Sequence, residues 1–232
     1  MKTLILLIFT ALAGCGGGSS SQNTPSTIKP EIQVQIAMYG DSTMAGATYV
    51  NGGYIITKNN APADLQIDLQ ATFGDGVTTK NYGESGTTLA ELLDGTDLYT
   101  TPFATEITNN PANIIVENFA INDAAHDTPE QFKQNLITFI QLSQAAGKVV
   151  VLEEPNPQCD KMTGLQIYPN PLVQVIDDTA AEYNLALIKQ YDAILAIPGW
   201  CSMLSDGTHP DDALYAIKAQ NEASVLAPLL AI

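Results

Sequence analysis

Two distant segments of this chain hold residue types that can do chemistry together: Gly40-Asp41-Ser42-Thr43 and Asp206-Gly207-Thr208-His209-Pro210. A serine hydroxyl is a poor nucleophile near neutral pH unless a base takes its proton, and the usual base is an imidazole steered by a carboxylate or carbonyl. The chain has two histidines, His126 and His209. Only His209 has an acid three residues before it in a turn-forming sequence, so Ser42, His209 and Asp206 are the candidate nucleophile, base and orienting acid. His126 reads as a surface loop histidine.

Other chemistries fit less well. Gly83-Glu84-Ser85-Gly86-Thr87 lacks the closing glycine of a G-x-S-x-G elbow, which disfavours Ser85 as a nucleophile. Two isolated histidines give no zinc-ligand spacing, and no acidic stretch matches a calcium loop. Neither a G-x-G-x-x-G run nor a phosphate-binding loop occurs, so neither a metal nor an organic cofactor is expected.

The elements that must position these residues begin after an unusual leader. Met1-Lys2-Thr3 precedes an apolar stretch, Leu4 to Ala13, too short to span a bilayer, which is the pattern of an export signal. It closes on Leu12-Ala13-Gly14-Cys15, which resembles the lipobox of bacterial lipoproteins, where cleavage leaves a lipidated cysteine. The expected organisation is a signal peptide over 1–14, a flexible tether over 15–30 with lipid on Cys15, and one catalytic domain over 31–232. The tether is Gly, Ser, Thr, Gln, Asn and Pro with little to bury, and its root-mean-square reach is about 20 Å. The expected location is thus an exported, membrane-anchored lipoprotein of the outer membrane, on its periplasmic or cell-surface face. Its only membrane contact would be the lipid, and its body a monomer.

Acids outnumber bases 25 to nine, for a formal net charge of −16, and every base is a lysine. A chain without arginine lacks the planar fork that grips phosphate bidentately, so nucleic acid and polyphosphate are not expected as partners. Cys159 and Cys201 remain once Cys15 is set aside. In an oxidising compartment they are expected to pair, closing a loop of about 43 residues worth roughly 4 kcal/mol in the chain-entropy model. The alternative is two unpaired buried thiols.

Five short segments read as strands: Ile32 to Tyr39, Thr78 to Tyr82, Asn113 to Phe119, Lys148 to Leu152 and Leu185 to Ile188. Ile114-Ile115-Val116 is a continuous apolar run of the kind buried on both faces of a sheet. A short helix is expected through Leu89, Leu92 and Leu93. Thr128-Pro129-Glu130-Gln131 starts another with a capping box, and its stripe is Phe132, Leu136, Phe139 and Ile140. Leu172 to Tyr183 and Asp211 to Ala227 are further helices, the last one ended by Pro228. Alternation of strands and helices implies a parallel sheet covered on both sides, with ligands beyond the carboxyl ends of the strands. Ser42, Gly86, Asn122 and the segment around His209 all fall there or in a later loop. The loop Glu153-Glu154-Pro155-Asn156-Pro157 is a candidate to line the pocket, and Asp41 and Asp123 read as structural acceptors in two turns.

Four blocks in this order resemble the SGNH hydrolase superfamily, the GDSL-like esterases and lipases. They are Gly40-Asp41-Ser42, Asn81-Tyr82-Gly83-Glu84-Ser85-Gly86, Ala120-Ile121-Asn122-Asp123 and Asp206-Gly207-Thr208-His209. The resemblance implies a flavodoxin-like three-layer α/β/α sandwich with a mainly parallel five-stranded sheet. It implies Ser42 as nucleophile, His209 as base and Asp206 as its acid. Ser42 N–H, Gly86 N–H and the Asn122 amide would form the oxyanion hole, and a side chain at position 86 would crowd the substrate. The third block usually begins with glycine, and Ala120 is expected to adjust the pocket shape without loss of chemistry. The implied activity is a serine esterase acting on short-chain acyl esters or O-acetyl groups of glycans through an acyl-serine. Alternatives are a lipase, lysophospholipase or thioesterase, or a surface binding protein that keeps the fold without turnover.

Overall fold

The computed structural model describes residues 32–167 and 170–231. The expected signal peptide, Cys15 and tether lie outside the described residues. In chain order the elements begin with β1 (Val34–Gly40), the one-turn α1 (Ser42–Ala45), β2 (Ala47–Val50), β3 (Gly53–Ile56), α2 (Ala61–Phe73) and β4 (Val77–Gly83). Then come α3 (Leu89–Asp94), α4 (Phe103–Asn109), β5 (Ile114–Asn118), the one-turn α5 (Asp123–His126), α6 (Pro129–Ala145) and β6 (Val149–Glu153). The remainder is β7 (Gln158–Cys159), β8 (Gln166–Ile167), α7 (Leu172–Glu182), β9 (Ala186–Ile188), α8 (Tyr191–Leu195), a 3-10 turn at Trp200–Met203 and α9 (Asp212–Leu230).

Five of these strands form one sheet in the order β4-β1-β5-β6-β9, and every neighbouring pair is parallel. This is the flavodoxin-like order, which reverses direction at its first strand and opens a crevice beyond that strand's carboxyl end. The period of two along each strand divides the core between two faces. Ile36, Met38, Ile114, Val116 and Val151 pack with Leu65 and Leu69 of α2 and Tyr215 and Leu226 of α9. Ala37, Tyr39, Ile115, Val150 and Leu152 pack instead with Leu92 of α3, Phe103 of α4, Leu136 and Phe139 of α6 and Ile176 of α7. The result is the expected three-layer sandwich, with the five strands and the α6 capping box where the sequence puts them.

Cys159 and Cys201 are joined in a disulfide with Cα atoms 5.8 Å apart, which excludes the free-thiol alternative. Among the described residues no helix is long and apolar enough to cross a membrane.

One expectation needs correction. Helix α9 does not stop at Pro228 but runs one further turn to Leu230. A proline so near the end removes few backbone bonds, and burial of Leu230 among the α2/α9 core residues rewards the extra turn. Its apolar stripe is weak because Lys218 and Glu222 occupy its buried side, Lys218 lying 3.5 Å from Glu153 of β6.

The β2–β3 hairpin and α2 were not among the expected elements. Asn51 and Gly52 both have positive φ, 52° and 86°, at the tip of that hairpin. Asn-Gly between β-branched and aromatic residues is a strong hairpin signal, and Asn60 with Pro62 marks a capped helix start.

Candidate active site

β1 can end beside β5 only because residue 40 is glycine, since a Cβ there would lie 2.5 Å from the Asn118 carbonyl oxygen. The chain then turns sharply into α1. Asp41 caps that helix by accepting from Thr43 N–H at 2.8 Å and from the Thr43 hydroxyl at 2.9 Å. Ser42 therefore sits in the first turn, at the crevice, with its backbone N–H left without an acceptor among the described residues.

Ser42 Oγ lies 3.0 Å from His209 Nε2, and His209 Nδ1 lies 2.8 Å from Asp206 Oδ2. The other carboxylate oxygen, Asp206 Oδ1, accepts from the backbone N–H groups of Thr208 at 2.9 Å and His209 at 2.8 Å. Partial burial raises the Asp206 carboxyl, but the His209 amide and ring, the Thr208 amide and the Tyr54 hydroxyl outweigh it and bring it down to about 2. Asp206 thus stays ionised and faces the imidazole.

The loop that carries the pair is held from behind. Asn156 Nδ2 donates to the Thr208 carbonyl at 2.9 Å, Gln158 Nε2 to the Thr208 hydroxyl at 3.0 Å, and Cys159 N–H to the Gly207 carbonyl at 2.8 Å. Residues 153–157 therefore do not line the cleft, contrary to expectation. Glu153 and Glu154 are buried because distant lysines meet them. Lys218 approaches Glu153, and Lys189 lies 2.8 Å from Glu154.

The cleft, about 430 Å³, is lined by Ser42, Gly86 and Asn122, by Ser85 and His209, and by Ala47, Tyr54, Ile55 and Ile56 of the hairpin. Gly86 N–H has no acceptor among the described residues. A Cβ at position 86 would meet no protein atom and would face the cleft, and the backbone is at φ +86°, which L residues rarely adopt. Asn122 donates one of its two amide protons to the Thr87 carbonyl at 2.9 Å, which leaves the second for a ligand. His126 is exposed at the end of α5 and is not among the residues that line the cleft.

Asp123 fixes the Asn122 turn. It accepts from Leu89 N–H at 2.8 Å and from Ala120 N–H at 3.0 Å, and burial pushes its carboxyl up to about 7. Ala120 itself has φ +108°, a conformation that suits glycine. Its carbonyl accepts from Asn170 Nδ2 at 3.0 Å, so neighbours hold the strained residue on both sides. Ala120 thus keeps the glycine-like backbone and adds a buried methyl.

Sequence reasoning missed Tyr54. Its hydroxyl donates to Asp206 Oδ2 at 2.9 Å, and its ring meets the His209 ring edge-on at 5.1 Å between centroids. The hairpin is anchored a second time by Tyr49 N–H, which donates to Ser205 Oγ at 2.8 Å. Nothing in the local sequence links position 54 to position 206, but the Asn51-Gly52 turn would have revealed the hairpin that carries it. Among the described residues no group of three or more His, Cys, Asp or Glu converges to hold a metal ion.

This fold and cleft define a hydrolase of the serine type. The chain belongs to the GDSL-like Lipase/Acylhydrolase family, whose sequence model matches residues 38–217, and it is an enzyme acting on ester bonds. It is similar in structure to a carbohydrate acetylesterase family member from Sinorhizobium meliloti, with a TM-score of 0.64, 17% identity and coverage of 86% of this chain and 100% of that one. The aryl esterase of M. smegmatis gives a TM-score of 0.65 at 15% identity, covering 84% of this chain and 99% of that one. A lipase/acylhydrolase from Enterococcus faecalis gives 0.64 at 22% identity, covering 85% and 97%. At such identities these likenesses speak for the fold. No curated protein matches the chain.

Proposed function

We propose that Ser42, His209 and Asp206 are the catalytic nucleophile, base and orienting acid of an esterase that cleaves short-chain acyl esters or O-acetyl groups on glycans. The observation that carries this reading is the unbroken chain of contacts from Ser42 Oγ to His209 at 3.0 Å and on to Asp206 at 2.8 Å. His209 Nε2 takes the serine proton as Oγ adds to the ester carbonyl, and Asp206 stabilises the imidazolium. Negative charge develops on the carbonyl oxygen beside Ser42 N–H, Gly86 N–H and the second Asn122 amide proton. Losing one such donor commonly costs about 3 kcal/mol of barrier.

His209 then returns its proton to the departing alcohol oxygen, leaving an acyl-serine. Water attacks that ester with His209 again as base, which frees the acid and restores Ser42. A cleft of about 430 Å³ suits a short acyl group, and the name of one similar structure, a carbohydrate acetylesterase family member, supports acetate-sized acyl chains. Ser42→Ala in the full chain is expected to abolish turnover of p-nitrophenyl acetate while leaving the unfolding midpoint near its original value. Retained turnover would refute the assignment.

The chain also reads as a lipoprotein attached through Cys15, a proposal supported by Leu12-Ala13-Gly14-Cys15 after the apolar leader. Cys15→Ser is expected to move the protein from the membrane fraction to the soluble one. An unchanged distribution would contradict lipid anchoring.

A further inference from the structure

The β2–β3 hairpin presents large apolar side chains to solvent beside the cleft. Tyr54, Ile55 and Ile56 are 62%, 51% and 57% exposed, although each lines the cleft. Such side chains are costly to leave in water unless something covers them during function. The pairing Tyr49↔Tyr54 and Ala47↔Ile56 puts those four residues on one face of the ribbon. On that face the Tyr49 and Tyr54 rings meet at 5.1 Å, and Tyr54 in turn meets His209.

The position of His209 says which part of a substrate comes here. The same Nε2 that faces Ser42 must reach the leaving oxygen, so the alcohol half of the ester departs on the His209 side. Tyr54 stands on that side, its ring meeting the His209 ring, and Ile56 lies on the same face of the hairpin. The wall suits one kind of alcohol. Ala47, Ile55 and Ile56 have no polar side-chain atom, and the Tyr54 hydroxyl already donates to Asp206. No Lys, Asp or Glu is among the lining residues. A sugar alcohol brought against this wall would lose water from its hydroxyls and gain few partners.

We propose that Tyr54 and Ile56 form an alcohol-side subsite that selects aryl and alkyl esters over sugar esters. This inference rests on the assignment of Ser42 and His209 made above, and it narrows the substrate class to acetate-like esters of apolar alcohols. The hairpin supplies the contact surface, and its two anchors, Tyr49 N–H to Ser205 and Tyr54 to Asp206, fix that surface relative to the proposed base.

The test compares three acetates that share an acyl group: benzyl acetate, ethyl acetate and an acetylated xylo-oligosaccharide. In the wild-type full chain, kcat/KM is expected to be highest for benzyl acetate. Ile56→Ser is expected to lower the benzyl-to-ethyl ratio of kcat/KM about tenfold, mainly through a higher KM for benzyl acetate. Ile67→Ser, an exposed apolar position on α2 that does not line the cleft, is expected to leave the ratio unchanged.

A ratio that Ile56→Ser does not move, or a preference for the acetylated oligosaccharide, would overturn the subsite. Labelling of each protein with a fluorophosphonate separates this failure from a deeper one. Labelling at Ser42 with an unmoved ratio condemns the subsite alone, whereas absence of both labelling and turnover condemns the assignment beneath it.

Discussion

Tyr54 and His209 meet on a single oxygen: the Tyr54 hydroxyl and His209 Nδ1 lie 2.9 Å and 2.8 Å from Asp206 Oδ2. The carboxylate that orients the proposed base is thus itself held by a residue from a hairpin far away in sequence. Tyr54→Phe keeps the ring against His209 and removes only the hydroxyl. Turnover of every ester is expected to fall about three- to tenfold in kcat, since one hydrogen bond of about 1 kcal/mol no longer restrains Asp206. KM should hardly move. A drop confined to bulky alcohols, with ethyl acetate untouched, would mean that the hydroxyl has no part in positioning the acid.

Ala120 gives a prediction about strain. At φ +108° an alanine costs about 1 to 3 kcal/mol, and a β-branched residue would cost more. Ala120→Val is expected to lower stability by about 2 kcal/mol or more in urea unfolding. Ala120→Gly relieves the backbone but loses a buried methyl and stiffens the unfolded chain less, so a change of at most about 1 kcal/mol is expected. Equal effects of the two substitutions would show that the backbone conformation at this position is not what limits it.

The buried carboxyls set the pH dependence of stability. Burial pushes Glu117 up to about 8 and Asp123 up to about 7, and raises Glu153 and Glu222 as well. Their unfolded values lie near 4, so between about pH 4 and 8 the folded state binds more protons than the unfolded one. Stability is therefore lost as pH rises through that window, by up to about 1.4 kcal/mol per pH unit for each group. Asp206 runs the opposite way. Its carboxyl is held near 2, so its contribution disappears only below about pH 4. The urea midpoint is expected to decline from pH 5 to pH 8, and Glu117→Gln should flatten the decline. A midpoint that climbs over this range would contradict the picture.

The disulfide predicts a coupled loss. Reducing Cys159–Cys201 releases a constraint with a sequence separation of 42, worth about 4 kcal/mol in the chain-entropy model. It also frees the strand whose Cys159 N–H donates to the Gly207 carbonyl beside His209. Reduction is expected to lower both the unfolding midpoint and kcat. Unchanged kcat after complete reduction would show that the His209 loop holds its shape without the bridge.

What was legible in the sequence follows from how local each signal is. The five strands could be read because each is a short apolar run between turn residues, and Thr128 to Gln131 carries a complete helix start within four positions. Ser42, Asp206 and His209 could be singled out because their types and turn contexts are rare in a chain with two histidines. The hairpin over 47–56 has a local signal in Asn51-Gly52, but the contact between Tyr54 and Asp206 has none. Other features have no local signature. The burial of Glu153 and Glu154 depends on Lys218 and Lys189, which arrive from other elements, so a loop rich in acids and prolines looked like a pocket wall. The positive φ of Ala120 and Gly86 is likewise set by the surrounding fold and not by their neighbours in sequence.

The central proposal is that His209 activates the Ser42 hydroxyl, and the rate of covalent capture tests it most directly. The full chain is treated with a fluorophosphonate and the adduct is mapped by peptide mass spectrometry in wild type and in His209→Ala. The adduct is expected on Ser42, forming about a thousandfold more slowly without the imidazole. An adduct on Ser85, or equal rates in the two proteins, would contradict it.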